Sequence, residues 1–567
     1  MAKKGEYMYR EDFLQRLKKA EEEWRERNRK EIEDAEAKEV SCEDGIPLNL
    51  LYTPSENQID FFRDIGFPGE FPYTRGADAA GYRKNLWTPS QYAGFGSPKE
   101  TNQLFKKMIE HGNVPYLALD LPTQNGYDPD HPMALGEVGR AGTTVKSLKD
   151  WEIIFDGINV GDIYIGTVAN AQAAVILAMY VVSAEKQGAD LKKLRGSLQN
   201  DILKEFTARG NYIFPVEPSI RLVIDVIEYC AKNLPAYWPI CVCGGHFSEA
   251  GSNRIQEVAF SLANAFTYID EVLKRELSID LFAKGFFFLM KTNHYDFFEE
   301  VAKFRVMRKI WARTLKERYG AKDPDSMKLK ILAHAGGSLM TKERPELNIV
   351  RNTVACLAGA LGGIQLIGLK TLDEVFGIPS EKAQLIAIGT QHVVAYETGV
   401  PDVVDPLGGS YYVETLTKEF ENQVLEELGR IEKMGGVVKA IESGYIKRTI
   451  AEDAYKSHKD LELGKKIKVG VNKFRVEEEE FSLRPYKLDL KEEVRQIEEL
   501  RELKRNRNSL LAEKALKDLK DVARRPSSSE NNLVPPIIEA VKAYATMGEI
   551  CGALREVFGE YQEPPVL

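Results

Sequence analysis

Cysteine is scarce in this chain. Its six residues, Cys42, Cys230, Cys241, Cys243, Cys356 and Cys551, are too few and too scattered across 567 positions for a disulfide framework. They read as free thiols in a reducing compartment. Cys241 and Cys243 flank Val242 in an apolar run, so both would face one side of a strand; no second Cys or His pair stands at zinc spacing, and no metal site is expected. Long apolar runs are missing as well. None reaches bilayer-spanning length, and Met1 to Arg10 has no secretory apolar segment, so the expectation is a cytoplasmic protein that meets no membrane. A basic excess is also lacking: the net charge of -9 and pI near 5.6 argue against nucleic acid as the main ligand. Ser-His-Asp, metal-ligand and phosphate-loop patterns are absent, as are low-complexity tracts and internal repeats.

What remains is an ordinary globular composition, 43% hydrophobic and 29% charged, in a chain long enough for a barrel-sized domain with appended pieces. Glu11 to Glu39 carries Phe13, Leu14, Leu17 and Trp24 among many charges and predicts an exposed amphipathic helix. From Phe71 to Gly96 the chain is rich in glycine, aromatics and single cations, as suits a ligand-covering segment ending in a first strand near Ser90 to Phe95. A beat then sets in. Apolar strand candidates at Pro115 to Leu119, Asp162 to Thr167, Leu194 to Leu198, Trp238 to Cys243, Leu281 to Met290, Lys328 to Ala333 and Leu361 to Ile367 alternate with helical patterns. Those helices are Lys99 to His111, Ala171 to Gln187, Ser219 to Lys232, Arg254 to Leu277, Tyr295 to Tyr319, Leu347 to Ala360 and Ser380 to Tyr396. Eight strand–helix units imply parallel pairing and an α/β fold, a (β/α)8 TIM barrel. Its flanks are an N-terminal helical arm and loop over 1–69, the barrel over 70–425, and a helical C-terminal extension over 426–567. Asp405 to Glu414, DPLGGSYYVE, is expected to close the barrel's lower or side surface, and Arg524 to Asn532 reads as a linker before a last helix, Pro535 to Phe558.

In such a barrel function sits at the carboxyl ends of the strands. Those ends carry Asp120 to Gln124, Asn170, Gln199 and Asn200, Gly244 to His246, His334, and Gly368 with Lys370. The densest polar stretch is SLQNDILKEFTARGNYIFPVEPS, Ser197 to Ser219. There Asp201, Glu205 and Arg209 stand at i, i+4 and i+8, which would put all three on one helix face; ordinary capping of a solvated helix start is the competing reading for the two acids. Arg209 precedes an apolar run, where a buried guanidinium needs an anionic partner. His246, between Gly245 and Glu249, is expected at the barrel mouth, able to hydrogen-bond a carbonyl oxygen that gains charge. Lys370 and Glu374 are either site residues or an exposed i, i+4 pair, and Asp120 is expected to orient its loop.

The motifs FPYTRG, WTPSQYAGFG, LDLPTQNGYDPDHP, GEVGRAG, QNDILKEF, HFSEAG, FFEEVAKFR, DPLGGSYYVE and GVNKFR, in this order, resemble the methylmalonyl-CoA mutase family of adenosylcobalamin-dependent acyl-CoA mutases. The resemblance implies a radical isomerase whose acyl-CoA threads the barrel and whose cofactor meets its mouth. It implies that His246 hydrogen-bonds the thioester carbonyl, that Tyr92 covers the substrate and helps displace the adenosyl group, and that Arg209 takes the free carboxylate. By the same resemblance Gln199, Thr88, Ser197, Gly245, Gly81 and Asn85 are substrate positions. Glu249, Glu374, Lys370, Gln124, Leu119 and His334 are cofactor positions. No D-x-H-x-x-G cobalamin signature occurs, so the chain is similar to the large subunit of the split members. A separate small subunit would bind most of the cobalamin, in a heterotetramer, with a G-protein-type reactivation chaperone as a further partner.

Departures accompany the likeness. Asn85, Ser90, Gly285 and Phe287 stand where cations or hydroxyls for CoA are common in the family, with Arg83 and Lys84 as substitutes. Gln124 stands for a histidine, and Lys370 and His334 for an asparagine and a glutamine. Gly245 and Gly81 stand for a tyrosine and a methionine, which predicts a pocket enlarged by on the order of 100 Å³ for a bulkier alkyl or aryl group. The alternatives are a non-catalytic mutase-like barrel, a mutase of a non-CoA or 2-hydroxyacyl-CoA substrate, and an acid–base enzyme working through His246 and Glu249.

Overall fold

The computed structural model describes residues 9–37, 39–54, 59–94, 96–110, 114–377, 379–476 and 491–563. Phe95, His111 and residues 477–490 of the C-terminal extension, all included in the expectations above, lie outside the described residues.

Short parallel strands enclose a barrel. They are β1 (Thr88–Ala93), β2 (Val114–Leu117), β3 (Tyr164–Thr167), β4 (Arg195–Leu198), β5 (Tyr237–Trp238), β6 (Ile240–Cys243), β7 (Phe286–Thr292), β8 (Ile331–Ala335) and β9 (Leu366–Gly368). Their order is β5-β4-β3-β2-β1-β9-β8-β7-β6, every ladder parallel. The eight expected strands become nine because Pro239 interrupts the fifth: proline has no N–H for a ladder, so β5 pairs back to β4 and β6 forward to β7. Side-chain and main-chain bonds close the seam. Cys241 N donates to Gln199 O at 2.8 Å, Asn200 Nδ2 to Pro239 O at 3.1 Å, and Cys243 N to Asp201 Oδ2 at 2.8 Å.

The helices follow the expected beat: Pro98–Glu110, Ala173–Lys186, Val216–Asn233, Arg254–Leu273, Phe297–Glu317, Leu347–Leu361 and Glu381–Glu397. One apolar run was misread in part, since Leu281 to Met290 opens with the helical turns Ile279–Phe282 and Ala283–Gly285 before β7 begins. The core between helices and strands is continuous, and it extends into Leu519, Leu533, Ile537 and Leu554 of the C-terminal helices. Arg524 to Asn532 is therefore not a loose linker: Asn532 Nδ2 donates to Asp225 O at 2.9 Å, and Arg221 donates to the carbonyls of Ala523, Arg525 and Asn531. The expected last helix is two, Val534–Lys542 and Met547–Phe558, parted at Tyr544 with φ of 56°.

The expected arm is likewise two helices, Glu11–Arg27 and Arg29–Glu36, and Ile32 is their one buried residue. The loop after it is anchored by charge. Buried Arg254 lies 2.8 Å from Glu300, 3.2 Å from Glu299, 3.4 Å from Glu43 and 3.5 Å from Asp44. In the DPLGGSYYVE segment Asp405 accepts from Arg75 at 3.0 Å and from Arg305 at 2.6 Å, fixing it at the amino end of the barrel. Among the described residues no helix is long and apolar enough to cross a membrane.

Candidate active site

The carboxyl end of β4 builds one half of the mouth. Asn200, at φ of 49°, breaks the strand, and residues 205–209 form a single wide helical turn. Asp201 therefore does not share a face with Glu205 and Arg209. It turns inward, accepting from Cys243 N and, at 2.7 Å, from Tyr268 Oη, and holds the barrel seam. Burial raises its carboxyl, against the pull of Lys204 and those bonds.

Glu205 and Arg209 do meet. The buried Glu205 binds Lys204 Nζ and lies 3.2 Å from Arg209 Nη1; its other oxygen accepts from Asn211 N at 2.9 Å. Arg209 Nη2 donates to Gln124 Oε1 at 2.7 Å, and a quarter of the arginine side chain remains exposed. Gln199 Oε1 accepts from Lys204 Nζ at 3.0 Å and from Asn170 Nδ2 at 2.9 Å. Two cations thus share one carboxylate. The trio Lys204, Glu205 and Arg209 carries one net positive charge beside the mouth.

His246 lies in the short helix Gly244–Ala250, half-buried, its Nδ1 shielded and without a partner among the described residues. Burial, then the positive fields of Lys204, Arg209, Lys370 and His334, hold its imidazole well below its ordinary value. It is neutral at pH 7. Gly244 is required there, because a Cβ would stand 2.4 Å from Ser261 Oγ. Across the mouth, the Tyr92 ring lies 4.8 Å from that of His334, and Lys370 Nζ sits 5.8 Å from the Tyr92 centroid. Burial and Lys370 push His334 down to about 3, and its Nε2 has no partner among the described residues.

The cofactor positions gather around a glycine turn. A Cβ on Gly337 would lie 3.5 Å from Glu249 Oε2 and 3.9 Å from both Glu374 Oε1 and Lys370 Cε. Lys370 Nζ donates to Glu374 at 3.0 Å. Glu249 lies 3.2 Å from Lys291 Nζ and accepts from Ser338 N at 3.0 Å. Burial works to raise Glu249, but Lys291, the Ser338 amide and Lys370 outweigh it, so the carboxylate is ionised. Both acids keep about a third of their side chains exposed, which leaves acceptor oxygens for the hydroxyls of a nucleoside ribose. The residues fit an adenosyl group. Gln124 is buried beside Arg209, whereas Leu119 is fully buried.

The substrate positions are not brought together. Gln199 and Gly245 lie at the mouth with His246, and Ser197 inside the barrel, paired in register with Trp238. Thr88, Asn85 and Gly81 instead line a cavity of about 350 Å³ at the amino end, together with Val114 and Tyr164, the first residues of β2 and β3, and Trp238 of β5. The two glycines differ in the room around them. A Cβ on Gly245 would stand 3.0 Å from Leu289 Cδ2 and 3.3 Å from the backbone of Met290 and Lys291, and one on Gly81 3.0 Å from Val404 Cγ2. Gly81 nonetheless lines the amino-end cavity.

Asp120 orients its loop as expected, accepting from Thr123 N at 3.0 Å, Gly139 N at 2.8 Å and Thr144 Oγ1. Cys241 and Cys243 share one face, sulfur to sulfur 3.9 Å, and no group of three metal-ligating side chains occurs among the described residues. Lys291 and Ser338 were missed. The one signal was a lone lysine ending an apolar strand, FFFLMKT, where a buried cation must have a partner.

A parallel barrel whose mouth holds a neutral histidine, a partly exposed arginine and two ribose-ready carboxylates, with no metal-ligating cluster among the described residues, suits a barrel in which a cofactor carries the reaction. The profile of the methylmalonyl-CoA mutase family matches residues 41–560. Over 524 residues the chain is 43% identical to the 2-hydroxyisobutanoyl-CoA mutase large subunit of Aquincola tertiaricarbonis, covering 92% of each. It is 38% identical to a probable mitochondrial methylmalonyl-CoA mutase of Caenorhabditis elegans, over 91% of this chain and 69% of that one. It is 36% identical to the human mitochondrial methylmalonyl-CoA mutase, over 92% and 68%. The chain belongs to the methylmalonyl-CoA mutase family, the adenosylcobalamin-dependent acyl-CoA mutases.

Proposed function

We propose that this chain is the substrate-binding large subunit of a split radical mutase that rearranges the carbon skeleton of a carboxylate-bearing acyl group of methylmalonyl or succinyl size. The observation that carries this reading is the net positive trio of Lys204, Glu205 and Arg209 beside the neutral His246. The first recognises a carboxylate, and the second hydrogen-bonds a carbonyl oxygen as charge develops on it. Gly81 and Val404 line the amino-end cavity, whereas Leu289 and the β7 backbone stand close to Gly245 beside His246, which holds the acyl group there to methylmalonyl or succinyl size. A small subunit supplies most of the cobalamin contacts, in keeping with the relative named a large subunit.

Adenosylcobalamin, when bound, supplies the carbon-centred radical for hydrogen abstraction. This chain's residues position and shield. Glu249 and Glu374 would hold the ribose hydroxyls and Gln124 and Lys370 the neighbouring edge. Arg209 clamps the carboxylate, and Gln199, fixed by Lys204 and Asn170, orients the acyl group. Tyr92, whose phenol burial keeps protonated, covers the reacting carbon and keeps water from a radical. With tritium at the 5′ carbon of the cofactor, turnover in the presence of the small subunit should move label into the product. Turnover with the label retained in the cofactor contradicts the reading.

A further inference from the structure

The motif GVNKFR, Gly470 to Arg475, lies against the barrel mouth. After the helix Tyr445–Glu462 the chain crosses the loops that follow β7 and β8. Asn472 ties the crossing down: its Nδ2 donates to the carbonyls of Leu461 at 2.9 Å and Lys466 at 2.7 Å, and its Oδ1 accepts from Lys468 N at 2.7 Å. Tyr295 Oη, just after β7, donates to Ile467 O at 3.1 Å. Arg351 Nη2, on the helix after β8, donates to Val469 O at 2.7 Å. So held, Lys468 reaches Ser338 O with its Nζ at 3.2 Å, on the same glycine turn that binds Glu249 through Ser338 N.

The crossing gathers positive charge that is only half neutralised. Lys291 and Lys466 have carboxylate partners, Glu249 and Glu43. Lys468 and Arg351 have none among the described residues: the lysine meets a carbonyl, and the arginine meets Thr341 Oγ1 at 2.8 Å, Asn348 Oδ1 at 2.9 Å and Val469 O. His294 lies in the field of all four cations, which with burial hold it down to about 3, and its Nδ1 has no partner among the described residues. Lys468 is itself pushed down to about 8 by burial and by Arg351, Lys466 and Lys291, with Glu343 pulling the other way. Such a lysine gains from any anion brought to it. Around these cations Val350, Ile467, Val469 and Phe474 are exposed, beside the exposed Lys473. A small anion has no use for that apolar surface, whereas a protein does.

We propose that the crossing, Lys466 to Arg475 with Val350 and Arg351, is a docking surface for the cobalamin-binding small subunit, which meets it with an acidic, partly apolar face. The inference rests on the reading of this chain as the large subunit of a split mutase. Position favours that occupant. A cofactor carried by a second subunit reaches Glu249 and Glu374 only if that subunit covers the mouth, and Lys468 stands on the turn beside those acids. Charge selects the face: on a chain of net charge -9, unpaired cations at the rim mark where an acidic partner is drawn in and oriented.

Surface plasmon resonance tests this, with the full chain immobilised and the small subunit, loaded with adenosylcobalamin, flowed over it. Raising the salt from about 50 to about 500 mM should weaken the complex at least about tenfold. K468E with K473E should weaken it at least about tenfold at low salt, chiefly through the association rate. K192E with K193E, the same charge change on the turn before β4 at the amino end, should leave it within about twofold. Affinity of the K468E–K473E chain within about twofold of the unaltered one overturns the proposal; should that variant fail to fold by circular dichroism, the salt series and the exposed K473E alone decide. Salt-insensitive binding that tightens only when Glu477, Glu478, Glu479 and Glu480 are replaced by glutamine makes the chain's own acids the occupant, and overturns it as well. Failure of the mutase reading looks different: the complex forms with the expected charge dependence, but no label moves from the cofactor.

Discussion

Replacing Arg209 by methionine separates substrate recognition from structure. The guanidinium makes two bonds to the protein, Nη1 to Glu205 at 3.2 Å and Nη2 to Gln124 at 2.7 Å, and of its roughly five N–H donors the rest are free for a ligand. A hydrogen bond to a charged group is worth about 1.5 to 3 kcal/mol, so losing the carboxylate contact should lower kcat/KM about 10- to 150-fold. The fold should notice less. Glu205 keeps Lys204 Nζ and Asn211 N, so no buried charge is orphaned, and the stability loss should stay near 1 kcal/mol. The assay pairs steady-state kinetics on the substrate with urea unfolding of the same preparation. Kinetics within threefold of the unaltered chain would refute the role, and so would a variant whose stability falls by several kcal/mol, because Arg209 would then be a structural counter-ion.

Other outcomes follow from the same geometry. His334 titrates at about 3 when folded and near its ordinary 6.5 when unfolded, and His246 is shifted the same way, so below pH 6.5 the unfolded chain binds more protons. Stability should therefore fall by up to about 1.4 kcal/mol per histidine for each pH unit below that point. Urea midpoints at pH 7 and 5.5 check this, and H334N should flatten the slope. Gly166→Ala drives a methyl into the Tyr116 ring and should cost about 1 to 3 kcal/mol, read as a lowered urea midpoint. Arg254→Met leaves buried Glu299 and Asp44 without their cation, while Glu300 keeps Lys303, and should cost about 3 to 5 kcal/mol, read by thermal unfolding. Asp120→Ala frees Thr123 N, Gly139 N and the Thr144 hydroxyl together, and increased hydrogen exchange confined to 120–144 is the expected sign.

The barrel was legible because alternating apolar runs of strand and helix length leave little choice of architecture, and seven helices fall within a few residues of their expected bounds. Pro239 was visible in Trp238 to Cys243, yet its consequence, two half-strands stitched by Gln199, Asn200 and Asp201, depends on which strands become neighbours. The mouth was legible as residue types at strand ends. Its pairings were not: a positive φ at Asn200 rotates Asp201 out of the helical register that spacing predicted. Gly81 does line an open cavity, whereas the closeness of Leu289 and the β7 backbone to Gly245 depends on a neighbouring strand and was not legible locally. The aromatic and apolar cluster inside the barrel, from Tyr92 and Tyr116 to Phe287 and Leu366, comes from residues on eight different strands and has no signature in any one of them.

The central claim is that this barrel positions a substrate for a cobalamin-derived radical. Its most direct test is electron paramagnetic resonance of the chain assembled with a cobalamin-binding small subunit and adenosylcobalamin, recorded before and after adding the candidate acyl-CoA thioesters. The account predicts a paramagnetic cobalt(II) signal, coupled to an organic radical, that rises only with the substrate Arg209 recognises and is lost in R209M. A spectrum that stays silent with every candidate, while absorbance shows the cofactor bound, would contradict it.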